Sequence, residues 1–226
     1  MNISLFEILG PVMIGPSSSH TAGAARLARV AACIAARPFT RVDYVLHGSF
    51  ATTGLGHGTD KALLAGALGI AEDDERLRSA YALAKQRGVA YSFTREELAD
   101  CHENTVRITF THTDGTCTTV QGASIGGGRI CITHINGLQT QIYAEHPTLL
   151  LTQHDKPGVV EEVSRLLAAN QINIATMRVN RVAKGELATT VIETDGAIPP
   201  ALAAELTKAD NVQSVCIINT SEVPHV

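Results

Sequence analysis

Three stretches of the chain concentrate side chains able to do chemistry. Ser17, Ser18, Ser19, His20 and Thr21 stand in a row after Gly-Pro; His57 sits between glycines in GLGHGTDKA, followed by Thr59 and Asp60; and His102 and Asn104 precede a strand-like run in CHENTVRITF. The first run is too polar for a core and reads as a loop feeding a helix that starts near Thr21, with Ser19 or Thr21 as its cap. The first N–H groups of a helix have no intrahelical partner. With the serine hydroxyls they make a cradle for an anion such as a carboxylate, to which the helix dipole adds about 0.3 to 1 kcal/mol, rising toward 2 when partly buried. Capping alone needs a single Ser or Thr, so the consecutive polar residues read as a binding loop.

The glycines around His57 let the backbone approach a ligand or a neighbouring chain and leave the imidazole little cover. A histidine so placed suits proton transfer, against the plainer reading of a hydrogen-bonded turn residue. A serine nucleophile is the weaker reading of the first loop, because adjacent Ser19 and His20 need not face one another and no acidic third member is marked. Pyridoxal chemistry needs a Schiff-base lysine and a phosphate cup, and Lys61, Lys85, Lys156, Lys184 and Lys208 stand in no such context, Lys61 near GHGTD coming nearest to it. Cys33, Cys101, Cys117, Cys131 and Cys216 are widely spread with no C-x-x-C, which argues against a disulfide framework or a metal knot and reads as small buried hydrophobes.

The elements that must position these groups follow from periodicity. Leu27, Val30, Ala31 and Ile34 recur as one helical face ending near ARPF. RVDYVLHGSF alternates like a strand, TDKALLAGALGI and ERLRSAYALAKQR read as helices, and the strands VAYSF, TVRITF, TCTTVQGAS, RICITHI and LQTQIY follow, broken by DG, GGG and NG turns. This mixed unit runs to residue 146. From 147 to 226 the order is βαββαβ, a split βαβ sandwich, and the whole reads as α+β. The second unit contains no Phe, Tyr or Trp, so it lacks a platform on which nucleic-acid bases could stack.

The bulk composition agrees with small-molecule and protein partners. The 226 residues suffice for one large or two smaller cores, and at 45% hydrophobic, 18% charged and a net charge of −4 they offer no basic field for nucleic acid or anionic membrane. No apolar run reaches the roughly 18 residues of a membrane span, and the opening MNISLFEILG lacks the basic region of a secretory signal, so the expectation is a cytoplasmic protein.

The second unit resembles the ACT family of regulatory domains, on Asp155 with KPG after its first strand and INI opening its second. That resemblance implies amino-acid binding between paired copies, with Asp155, Gly158 and Asn173 as effector-site residues, or dimerisation alone. GPVMIGPSSSHTAGAARLARVA, LHGSFATTGLGHGTDKALLAGALG, ENTVRITF and SIGGGRI together resemble the beta chain of the two-subunit iron-sulfur L-serine dehydratases, over essentially the whole chain. SIGGG and HINGL also resemble the allosteric substrate-binding domain of some D-3-phosphoglycerate dehydrogenases, which implies a β-rich first unit. The family resemblance implies conversion of L-serine to pyruvate and ammonia on a 4Fe-4S cluster whose ligands lie on a separate alpha subunit, with none in this chain. It implies His57 as general acid/base with His102 sharing the role, and Ser17, Ser18, Ser19, His20, Thr21, Thr59, Asp60 and Asn104 as substrate-positioning groups. The family commonly has proline where Glu103 stands, which relaxes the local backbone and makes the position of His102 less fixed. An amino-acid-sensing protein with no catalytic role, or an independent hydrolase, are the competing classes.

Overall fold

The computed structural model describes residues 13–181 and 183–219. The opening MNISLFEILG and the GPV that begins the first family block lie outside the described residues. The chain packs as two compact units, one through Asn136 and one from Gly137.

In the first unit, β1 (Phe39–Leu46), β2 (Ala90–Arg95), β3 (Thr105–His112), β4 (Cys117–Gly126) and β5 (Arg129–Ile135) are ordered β2-β1-β3-β4-β5. β1 and β2 pair in parallel, and the other pairs are antiparallel. Strand alternation places Val42, Tyr44 and Leu46 of β1 and Val106, Ile108 and Phe110 of β3 in the core. Helix α1 (Ala24–Ala35) lies against β3, β4 and β5 through the face its spacing predicts, with Leu27, Val30, Ala31 and Ile34 all buried.

Between β1 and β2 run the short helices α2 (Gly48–Thr52) and α3 (Gly54–His57), then α4 (Thr59–Ala67), a 3₁₀ turn (Glu75–Ser79) and α5 (Ala80–Gln86). α1 packs on α4 across small residues: a Cβ at Gly66 would collide with the Ala25 carbonyl oxygen and come within 3.0 Å of Ala28 Cβ. The alanine-rich sequence thus serves close backbone approach, which lays the end of α4 against the first turns of α1.

Three local readings need correction. HGSF does not extend β1; the chain turns at Gly48, φ 54°, where a Cβ would lie 2.5 Å from the Glu103 carbonyl oxygen. The Ser49 N–H donates to that same carbonyl at 2.7 Å, so the turn is welded to the segment before β3. The helix near Thr21 starts as a π-helical turn, Ser18–Gly23, and is capped by Ser17 rather than by Ser19 or Thr21. Finally, none of the five cysteines is fully buried, and Cys117 is exposed at the start of β4, where the outward face of the strand carries it.

The second unit contains β6 (Leu138–Ile142), which packs on β8 and β9, and then the βαββαβ run: β7 (Thr148–His154), α6 (Val159–Ala169), β8 (Ile174–Arg181), β9 (Leu187–Thr194), α7 (Pro200–Leu206) and β10 (Val212–Ile218). The sheet order is β10-β7-β9-β8, all antiparallel. Leu149, Leu151 and Ile192 meet Val163, Leu166, Leu167, Leu202 and Leu206 in one aliphatic core, so the absence of aromatics costs it no packing.

Candidate active site

The π-helical turn and the start of α4 lock onto each other by a reciprocal exchange. The Thr21 hydroxyl donates to the His57 carbonyl at 3.0 Å, and the Thr59 hydroxyl donates to the His20 carbonyl at 2.9 Å. Both threonines are buried, at 2% and 0% exposure, so each bond replaces water that cannot reach the groups. Two motifs some forty residues apart in the chain thereby become one site.

Their imidazoles meet as a result. The His20 and His57 ring centroids lie 5.0 Å apart, tilted by 41°, and the edge of His20 also meets Phe50 at 5.3 Å. His20 Nε2 lies 3.0 Å from Ser49 Oγ and 3.1 Å from Thr53 Oγ1, while His57 Nδ1 lies 3.1 Å from the Thr53 carbonyl. Burial pushes the His20 pKa below its ordinary 6.5, and the neighbouring His57 pushes it further, whereas a hydrogen bond with Ser49 and the charge of Glu103 act in the opposite sense. His20 is therefore held neutral near pH 7. His57 is exposed, and a Cβ at Gly56 or Gly58 would meet nothing within 4 Å, so that side of the imidazole is open.

The serine run does less with its backbone than free helix N–H groups would. The Ser17 hydroxyl accepts from the His20 N–H at 3.0 Å, and the N–H groups of Thr21 and Ala22 donate to the Ser17 carbonyl. Those N–H groups are used within the turn, and Ser18 and Ser19 remain half-buried beside it. Gly23 sets the turn against β4, since a Cβ there would collide with Ser124 Oγ. Ser124 Oγ and Asn104 Oδ1 are both buried with no hydrogen-bond partner, while Asn104 Nδ2 reaches the Ser124 carbonyl at 3.5 Å. A buried unpaired oxygen costs about 1–3 kcal/mol, a burden that marks functional ground.

His102 stands apart from the pair. It is exposed and its Nδ1 accepts the Asn104 N–H at 3.0 Å, shaping its own turn; the histidine packed against His57 is His20.

A cleft of about 360 Å³ opens beside His57, with Thr21, Asp60, Lys61 and Arg78 among its walls. The Tyr81 hydroxyl donates to Asp60 Oδ2, and burial followed by that carboxylate raises the phenol pKa, so Tyr81 remains a donor that holds Asp60 in place. Tyr81 and Arg78 carry no motif of their own, while Ser49 and Thr53 lie within the LHGSFATTGLGHGTDKALLAGALG block without being singled out there. Their four-residue spacing puts both hydroxyls on one helical face.

In the second unit the expected effector residues do not converge. Asp155 binds Arg181 Nη1 at 2.7 Å and accepts the Gly185 N–H at 3.2 Å, and the Arg181 bond leads the causes that lower its pKa. Asn173 binds Asp195 at 2.6 Å. β8 pairs with β9 from Ile174↔Thr194 to Arg181↔Ala188, so the two residues sit at opposite ends of the sheet. Gly158, φ 99°, opens α6 beside a cleft of about 280 Å³ that also includes Glu162, Arg165 and Asn211.

Residues 4–87 match the family model of the serine dehydratase beta chain, and residues 148–211 match that of the ACT domain. The L-serine dehydratase beta chain of Peptoniphilus asaccharolyticus is 43% identical over 193 residues, covering 85% of this chain and 87% of that one. The chain belongs to the serine dehydratase beta-chain family. A probable L-serine dehydratase beta chain of Bacillus subtilis is 42% identical over 212 residues, covering 94% and 96%. The D-3-phosphoglycerate dehydrogenase of the same organism is 31% identical over 137 residues, which is 61% of this chain and 26% of that protein. The first family match spans both halves of the histidine site, and the second covers Asp155, Asn173 and strands β7, β8 and β9.

Proposed function

We propose that this chain is the beta subunit of an L-serine dehydratase, which converts L-serine to pyruvate and ammonia together with a separate alpha subunit. The observation that carries the reading is His57, packed against His20 and lining a cleft with Lys61 and Arg78. Loss of water from serine needs removal of the α-proton, and a neutral imidazole near pH 7 is the side chain suited to it. In this reading His57 takes the proton and His20 sustains it, Lys61 and Arg78 face the carboxylate, and Asp60, steadied by Tyr81, faces the ammonium group. Ser17, Ser18, Ser19, Thr21, Thr59 and Asn104 shape the walls and the loop, and His102 lies at the rim.

A 4Fe-4S cluster is held by a set of cysteine thiolates. Among the described residues no group of three or more His, Cys, Asp or Glu could hold a metal ion, and the five cysteines are dispersed, so this chain's side chains do not fit the cluster. We assign it to the alpha subunit, where its contribution would be Lewis-acid assistance to the departing hydroxide.

The proposal extends to organisation. Residues 1–146 form the dehydratase domain and 147–226 the ACT domain, which binds an amino-acid effector between two copies of the chain. The separation of Asp155 from Asn173 within one sheet favours that arrangement, because a second copy can bring the far end of one sheet to the near end of the other. An α2β2 assembly and a cytoplasmic location complete the reading, in keeping with the lack, among the described residues, of any helix long and apolar enough to cross a membrane.

The test is anaerobic pyruvate formation from L-serine by this chain alone and mixed with a cluster-bearing alpha chain. Turnover in the mixture only is the expected result. Turnover by the chain alone would replace the half-enzyme with an independent catalyst, and none in a formed, cluster-loaded complex would leave an amino-acid sensor.

A further inference from the structure

Thr53 belongs to neither histidine motif, yet it touches both imidazoles. Its carbonyl oxygen lies 3.1 Å from His57 Nδ1. A carbonyl only accepts, so in neutral His57 the proton resides on Nδ1 and Nε2 keeps its lone pair. Its hydroxyl lies 2.9 Å from the Ser49 carbonyl, one helical turn back, where its single proton goes. The same Oγ1 lies 3.1 Å from His20 Nε2 and 3.1 Å from Ser49 Oγ, and Ser49 Oγ lies 3.0 Å from His20 Nε2.

The protons in this triangle can be counted. With its own hydrogen committed to the carbonyl, Thr53 Oγ1 acts toward the other two corners as an acceptor. A proton on His20 Nε2 satisfies every corner: Nε2–H donates into the two hydroxyl oxygens, and the Ser49 hydroxyl donates to Thr53. A lone pair on Nε2 would instead face the Thr53 acceptor at 3.1 Å, with the one Ser49 hydrogen left to serve both.

We infer that Thr53 is a positioning residue that fixes complementary tautomers in the two imidazoles, Nδ1–H in His57 through its carbonyl and Nε2–H in His20 through its hydroxyl, leaving Nε2 of His57 and Nδ1 of His20 as the bare nitrogens. Its meaning for catalysis rests on the dehydratase reading, and the tautomers themselves do not. A general base works only from an unprotonated nitrogen at the right place, so a tautomer error removes a base without moving the ring. The titratable neighbours of His20 are His57 and Glu103, and burial together with His57, whose ring lies 5.0 Å away, disfavours a positive charge on His20.

Two-bond ¹H–¹⁵N correlation spectra of the full chain labelled at histidine read the tautomers directly. The expected spectrum at pH 8 has the Nδ1–H pattern for His57 and the Nε2–H pattern for His20. In Thr53→Val the Ser49 hydroxyl is free to donate to His20 Nε2 as well as to accept from it, so His20 loses its Nε2–H preference and Nδ1–H signal appears, while His57, still bonded to the residue-53 carbonyl, does not change; Thr53→Ser keeps both wild-type patterns. In the enzyme assembled with its alpha chain, Thr53→Val lowers kcat by about ten- to hundredfold with KM little changed, and Thr53→Ser restores it to within about threefold. An Nε2–H His57 in the wild-type spectrum overturns the inference whether or not the valine variant folds, as does an unchanged His20 in Thr53→Val. Correct tautomers in an assembled complex without serine turnover would uphold the role of Thr53 and sink the dehydratase reading instead.

Discussion

The two units treat their polar residues in opposite ways. In the first, residues far apart in sequence are drawn together: the hydroxyls of Thr21 and Thr59 clasp the carbonyls of His57 and His20, and the two rings meet. In the second, Asp155 and Asn173 are each paired at the exposed surface, with Arg181 and Asp195, and the sheet keeps them apart. A site assembled by buried hydrogen bonds within one chain is set before any ligand arrives, whereas charges tied up at the surface must be completed or exchanged by something outside the chain. In the proposed reading the first unit carries the chemistry and the second the response.

The sharpest way to break the contrast is to move the two helices apart. Gly66→Ala places a methyl against the Ala25 carbonyl, and the resulting shift of α4 on α1 is expected to cost about 3 kcal/mol, read as a lowered denaturation midpoint. Thr59→Val is gentler. It keeps the shape, leaves the His20 carbonyl without its 2.9 Å donor, and is expected to cost about 1–2 kcal/mol in urea unfolding, together with a loosened ring pair.

A smaller effect sharpens the electrostatics. The Glu103 charge favours the imidazolium of His20, so Glu103→Gln is expected to move the His20 pKa further below 6.5 in an NMR titration. The sign follows directly: with the pKa lowered, His20 stays neutral to lower pH. An upward move would mean that Glu103 acts through structure and not through charge. The smallest effect belongs to the second unit. Asp155→Ala frees Arg181 and the Gly185 N–H at an exposed surface, where ion pairs contribute little, so the denaturation midpoint is expected to stay where it is.

Much of this was legible in the residues. The apolar face of α1 and the βαββαβ order follow from periodicity, because burial imposes it directly. The importance of His20 and His57 was marked by their polar and glycine-rich settings. Their contact was not, since it depends on where α1 and α4 cross, which the small residues Ala25 and Gly66 decide through backbone approach and not through any chemical signal. Ser49 and Thr53 were hidden for a related reason: HGSF continues the alternation of β1, and only the close pass of Glu103 at Gly48 turns it into a helix. Asn173 illustrates the opposite limit. Its place in the sheet is plain from the strand order, but a partner for it across two chains is a property that one sequence does not display.

The central claim is that the first unit completes an acid/base site, with His57 as its working group. The most direct test is pyruvate formation from L-serine by the assembled enzyme carrying His57→Ala, with complex mass followed by light scattering. The side chain is exposed and supports no buried contact, so the account predicts an intact complex whose kcat falls by about 10²–10⁴-fold. An intact complex that keeps wild-type turnover without this imidazole would contradict it.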